Sequence, residues 1–242
     1  MISISELKKK ALSQLKGNWT NPVITTLVFF SLAIAASLAL CGMAFALTWM
    51  LSIPINFIIK DLSMTEPLLE AVNGILSTIV SFLLMPLCVG FINYFLMFSK
   101  SHKPDIVNLF DGYKKSFPNS VITGLLVEIY VILWSLLLII PGIIKSYSYS
   151  MTFFIIADEP NISANEAITK SRAMMNGYKW KYFLLQLSFI GWGLLATFTC
   201  GIGYIWLYPY MQLASTHFYL TVKEAYENKN STNDNPLILE QF

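Results

Sequence analysis

DEPNISANEAITKSRAMMNGYKW, residues 158–180, is the longest polar interval between two strongly apolar runs, and its reading sets the fold. Ser163 and Glu166 have the spacing of a capping box, in which each side chain satisfies an orphan N–H at a helix start. Ala164, Ala167, Ile168, Ser171, Met174, Met175 and Tyr178 then recur at helical spacing, with Lys170 and Arg172 off that stripe. Gly177, behind Asn176, is the stop, because glycine enters the left-handed region without steric cost. The stretch reads as a short amphipathic helix lying between two membrane-spanning runs.

Composition agrees with that placement. Only 12% of the 242 residues are charged, 55% are hydrophobic, and mean hydropathy is +0.59. Soluble domains carry about 25% charged residues, so half that fraction with long uncharged runs implies an all-α polytopic membrane protein. A net charge of +2, without a basic cluster interleaved with aromatics, gives no reason to expect nucleic acid. Cys41, Cys88 and Cys200 fall in apolar runs without metal-ligand spacing and read as buried inert thiols. The apolar run from Pro22 to Ile59 exceeds the roughly 7–15 residues of a cleavable signal.

Six spans follow. The basic start reads as an interfacial helix, with Ser3 and Glu6 as a capping box, Ile4, Leu7, Ala11 and Leu15 as the apolar stripe, and Gly17 as the stop. As one helix the first apolar run would measure about 57 Å, against a hydrocarbon core of about 30 Å. A first span is therefore expected over Pro22–Thr48, with an interfacial continuation broken near Pro54. Ser31, Ala35 and Ala39 offer a small-residue packing face. A net-negative loop, Lys60–Glu70, leads to a second span at Ala71–Phe98. Beyond a polar, basic loop whose short stripe ends around Gly112, the third span is Asn119–Ile140. A tight reversal at Pro141-Gly142 precedes a short fourth span, Ile143–Ala157. The fifth is Tyr182–Thr199, with Gly193, Thr197 and Gly201 again at small-residue spacing, and the sixth is Tyr204–Val222. Residues 1–223 thus form one transmembrane domain, and 224–242 a polar, disordered tail.

Lys and Arg concentrate in the N-terminus, the loop after Lys100, the 158–181 interval and the tail, which places both termini in the cytoplasm. Lys8, Lys9, Lys16, Trp19, Lys114, Lys115, Arg172, Lys179, Trp180 and Lys181 are expected at the cytoplasmic headgroups, and Lys145 at the outer ones. Leu15–Trp19, Phe110–Lys114 and Met175–Lys179 share one pattern: apolar, polar, glycine, then an aromatic with a lysine or asparagine. Each precedes a pair of spans. The layout predicts three parallel repeats of an interfacial helix plus a two-helix hairpin, unlike the inverted repeats of many carriers.

LWSLLLIIPGIIKSYSYSMTFFIIADEP, then ANEAITKSRAMMNGYKWKYF, the early ELKKKALSQLKGNW and the late GIGYIWLYPY resemble a Gram-positive bacterial family of integral membrane proteins. That family is known only as domain of unknown function 975. The resemblance covers nearly the whole chain before the tail. It extends more distantly to the membrane domain of some glycerophosphodiester phosphodiesterases, whose activity belongs to a separate soluble domain. It implies six spans in a bacterial plasma membrane and no catalytic motif.

Glu128 is the sharpest single residue, since a carboxylate at bilayer depth usually faces a bundle interior, a cavity or a partner. His217 lies at a comparable depth in the sixth span, and Gln186, Asn93 and Thr216 could join it. Such a cluster would be a proton-responsive or ligand-binding site. The plainer alternative is a carboxyl satisfied by a neighbouring helix. No HExxH, GxSxG, Walker loop or CxxC occurs, so neither an enzyme, a cofactor nor a metal is expected. The expected function is non-enzymatic binding of lipid or an amphiphilic peptide for envelope protection or organisation. The alternatives are a small carrier using Glu128 and His217, or a membrane subunit of a larger complex with another protein as partner.

Overall fold

The structure is a computed structural model that describes residues 3–58 and 65–234. Among these residues the secondary structure is helical throughout. In order, the helices are α1 (Ile4–Leu15), α2 (Thr20–Ile58), α3 (Thr65–Ser99), a 3₁₀ segment (Ile106–Phe110), α4 (Asp111–Lys115), α5 (Phe117–Leu137), α6 (Ile139–Tyr149), α7 (Thr152–Asp158), α8 (Ala164–Met174), α9 (Lys179–Leu187), α10 (Ile190–Phe198) and α11 (Tyr204–Asp234).

Among the described residues, five stretches are long and apolar enough to cross a membrane: Thr20–Met50, Glu70–Ser99, Phe117–Leu137, Ile139–Asp158 and Lys179–Phe198. Their apolar side chains point largely outward. Leu136 to Ile140, Phe45, Trp49 and Phe198 are exposed, which water would not tolerate over so wide a surface. The expected sixth span falls short in hydropathy for a physical reason. Most of α11 from Leu213 to Val222 is buried against other helices, including Ser215, Thr216 and His217. A helix that meets protein on most sides need not be apolar to avoid lipid.

The core is built from α3, α7 and α11. Phe91, Tyr94 and Phe95 of α3 pack with Phe154 and Ile155 of α7 and with Phe218 and Tyr219 of α11. Phe154 and Tyr219 stack at 5.4 Å. Each short segment packs chiefly on the pair of spans before it, cyclically. The 3₁₀ segment sits on α3 and α2, α8 on α7, α5 and α6, and α1 on α11 and α9. Two glycines let the 3₁₀ segment and the adjoining α4 lie on α3. A Cβ on Gly112 would collide with the Pro86 carbonyl, and one on Gly90 with the carbonyl of Leu109.

Several boundaries differ from expectation. The helix α2 runs unbroken past Pro54 as far as Ile58, the proline giving up one backbone hydrogen bond without ending the helix. The reversal after α5 falls at Leu138, where the backbone is extended. Pro141 occupies the first turn of α6, a position that needs no N–H, and Gly142 serves close packing against Ser135. Gly112 lies inside α4 rather than ending a helix. The tail is helical as far as Asp234, since Lys223 and Glu227 pair along it at 3.7 Å and Tyr226 packs on the core. The end of the tail, 235–242, and residues 60–64 of the expected Lys60–Glu70 loop lie outside the described residues, while 65–70 already belong to α3. Cys41 and Cys200 are exposed on the apolar exterior rather than buried, and among the described residues no helix covers Ser31, Ala35 and Ala39, which are also exposed.

Replacing Gly112 with Ala should lower unfolding stability by about 2–3 kcal/mol, since backbone on both sides must shift. Gly191→Ala, with open space around the added carbon, should leave it unchanged or raise it by up to about 1 kcal/mol. Thermal unfolding in detergent reads both.

Candidate functional site

Two features carry the polar chemistry of the bundle, and they lie in different halves of it. The first is a charge cluster at the end of the three central helices. Asp158, the last residue of α7, accepts from Lys100 at the end of α3 (2.8 Å), from Lys223 of α11 (2.6 Å) and from the Tyr219 hydroxyl (3.1 Å). Glu159 accepts from Lys223 (2.9 Å) and, through both oxygens, from Lys170 of α8 (2.6 and 2.8 Å). Four helices are therefore joined by two adjacent carboxylates. Asp158 and Lys223 are only 10% and 18% exposed, so breaking the pair between them would strand a desolvated charge.

Burial opposes the Glu159 charge, but hydrogen bonds from Lys170 and Lys223 outweigh it and hold the carboxyl below the ordinary glutamate value. Burial likewise opposes the Lys223 charge, and the bonds to Asp158 and Glu159 overcome it, holding its pKa above the ordinary lysine value. The sequence carries a signal for this cluster. Lys100 and Lys223 stand at the same offset behind prolines inside their helices, Pro86 and Pro209, and an acidic pair opens an otherwise basic interval.

The second feature is a cleft of about 600 Å³ between α2 and α3, in the half of the bundle remote from α1. Leu40, Ala44, Phe45 and Leu84 supply its apolar walls. Its hydroxyls are already committed. Ser37, Thr48, Ser77 and Ser81 each donate to a carbonyl of their own helix (2.8–3.0 Å). Gly74 leaves the floor open.

The structure does not bring Glu128, His217, Gln186 and Asn93 together. Glu128 is exposed on α5 and has no hydrogen bond among the described residues. His217 pairs through Nε2 with Gln14 of α1 (2.8 Å), Gln186 donates to Ser215 (3.3 Å), and Asn93 donates to Asp111 (3.1 Å). Thr216 donates to the carbonyl of Gln212 on its own helix. The separation has a simple cause: each of the other three meets a different neighbour, His217 on α1, Gln186 on α11 and Asn93 on α4, while Glu128 faces outward from α5.

Of the expected headgroup residues, Lys9, Lys16, Lys114, Lys115, Arg172 and Trp180 are exposed, whereas Lys179 and Lys181 are half-buried. Lys115 also pairs with Asp111 (3.0 Å), and Lys181 lies over the Tyr178 ring. Lys8 instead turns inward, donating to the Ser188 carbonyl and hydroxyl (both 3.2 Å) beside the Phe189 ring. Trp19 packs on the core, and Lys145 lies over the Trp134 ring at 4.3 Å. Among the described residues, no group of His, Cys, Asp and Glu converges as a metal site requires.

Long apolar helices, an outward-facing apolar surface and polar groups gathered inside define an all-helical membrane protein. Residues 1–145 and 135–226 match the model of the family described as "Protein of unknown function (DUF975)", and the chain belongs to that family. No match was found among curated proteins or among solved structures.

Asp158→Asn should destabilise the protein by about 3–5 kcal/mol, and Lys100→Met by less than about 1 kcal/mol because that lysine is half exposed. The pH dependence follows from the signs. The Glu159 contribution is complete above about pH 4.3 and lost as pH falls through its lowered folded pKa. That of Lys223 is complete below about pH 10.4 and lost as pH rises through its raised folded pKa. Melting temperature should therefore be level between these limits and fall on both sides. Glu159→Gln should remove part of the acid limb and, because Glu159 also holds the Lys223 charge, bring the alkaline fall to lower pH.

Proposed function

We propose that this is a non-enzymatic protein of a Gram-positive bacterial plasma membrane that binds a membrane lipid in the cleft between α2 and α3. On this reading α11 is the sixth span, both termini are cytoplasmic, and the chain comprises three like-oriented units. The cyclic packing of α1, the 3₁₀ segment and α8 on successive helix pairs supports the units. The burial of α11 supports its place as a span that meets protein rather than lipid.

One observation carries the binding reading: the cleft opens sideways within two candidate spans and offers apolar walls with internally satisfied hydroxyls. Such a surface suits an acyl chain, because its four hydroxyls are already hydrogen-bonded within their own helices, and among its lining side chains only Asn73 leaves a buried oxygen, Oδ1, without a partner. An amphiphilic peptide with one apolar face would meet the same requirement. A carrier acting through Glu128 and His217 has little support, since those residues stand in separate environments and the central helices are packed with aromatics. A subunit of a larger complex draws support from the uncovered face at Ser31, Ala35 and Ala39.

Gly74→Leu tests the reading. Its side chain enters open space and a glycine leaves a helix interior, so stability should hold or rise. Co-purified lipid, quantified by mass spectrometry of protein extracted with native lipid, should fall severalfold relative to wild type. A lipid profile equal to bulk membrane in both proteins would sink the proposal. Glu128→Gln should leave retention unchanged.

A further inference from the structure

The helices α10 and α11 touch at their connection, where a Cβ on Gly203 would collide with Ala196. They part from there to leave a groove of about 410 Å³. Trp192 and Leu195 of α10 line one side, and Trp206, Leu207 and Tyr210 of α11 the other. Leu12 of α1 and Trp19, just ahead of α2, complete the lining. The α11 wall alone, from Gly203 to Tyr210, runs about 10 Å. Leu12, Trp192, Leu195 and Trp206 are exposed, and α10 belongs to a candidate span. In a membrane this groove therefore meets lipid rather than water. It shares no residue with the α2–α3 cleft.

The groove offers more than hydrocarbon contact. Its Thr199 hydroxyl is committed, donating to the Ala196 carbonyl (2.7 Å) and accepting from Gly203 N–H (2.8 Å). The Trp19 indole N–H and the Tyr210 hydroxyl, by contrast, have no hydrogen-bond partner among the described residues. Both side chains are half-buried, yet neither of these polar atoms is sealed from the surface. An indole can only donate, so whatever satisfies Trp19 must bring an acceptor. Trp19 directly precedes the candidate span that begins at Thr20, and tryptophans at such positions sit between hydrocarbon and headgroups. The acceptors abundant at that level are the ester carbonyls of glycerolipids.

We propose that this groove binds one hydrocarbon chain of an ester-linked glycerolipid, whose ester carbonyls accept hydrogen bonds from Trp19 and Tyr210. The aromatic walls supply broad apolar contact, and the two donors favour an ester over an ether, which has no carbonyl. The site rests on the membrane placement of the protein and is independent of lipid binding in the α2–α3 cleft.

Native mass spectrometry of the full chain, delipidated in a neutral detergent, tests the site by titration with dioleoyl phosphatidylcholine and with its diether analogue. Wild type should bind the diester severalfold more tightly, the size of one or two neutral hydrogen bonds. Tyr210→Phe keeps its ring against Phe189, and should narrow that preference without lowering the melting temperature. Trp19→Phe combined with Tyr210→Phe should bind the two lipids alike. Trp180→Phe, which alters an exposed tryptophan outside the groove, should keep the wild-type preference.

Gly74→Leu separates the groove from the cleft. The preference should persist in that variant, and its loss there would assign the ester to the α2–α3 cleft and overturn the groove proposal alone. Failure of wild type to bind either lipid, equal binding of both, or a preference that survives in the double variant also overturns it.

Discussion

The Asp158 carboxylate is the constraint on which the rest of the bundle depends. It ends α7 with too little exposure to be solvated by water alone, and it draws Lys100, Lys223 and the Tyr219 hydroxyl onto itself. Those partners lie at the end of α3 and within α11. Satisfying one desolvated charge therefore fixes the relative height of all three central helices. Within a membrane protein this matters more than in water, because apolar packing alone gives little preference for one vertical register over another.

From that anchor the layers follow. Aromatic packing of Phe91, Phe95, Phe154 and Tyr219 fills the centre below the cluster. Gly90 and Gly112 let the 3₁₀ segment and α4 lie directly on α3, and α8 is tied to the same cluster through Lys170 and Glu159. The half of the bundle near α1 is thus densely cross-linked. The remote half, where α2 and α3 run on as a pair, keeps an open cleft. The proposed lipid site falls where packing along α2 and α3 thins.

Much of this was legible in the chain because it rests on local rules. Ser163 and Glu166 form their capping box, and Gly17 and Gly177 take positive φ at the helix ends, since neighbours along the chain supply all that is needed. The Ser3 side chain makes no such cap. A proline in a sequence marks a break only by default: Pro141 opens α6, where no N–H is needed, and Pro54 costs α2 one hydrogen bond without ending it. The cluster of Glu128, His217, Gln186 and Asn93 failed differently. Depth can be counted along a sequence, but the direction a side chain faces depends on how helices rotate against one another.

The sequence by itself determined an all-helical membrane protein, the positions of its apolar runs and its short amphipathic helices. Hydropathy, capping and glycine stops act over a few residues and need no tertiary partner. Only the tertiary structure decided that Asp158 and Glu159 meet Lys100, Lys170 and Lys223, that polar α11 lies at the centre, and that α2 and α3 leave a cleft. Those features join residues far apart in the chain, through packing and charge satisfaction that no local pattern encodes.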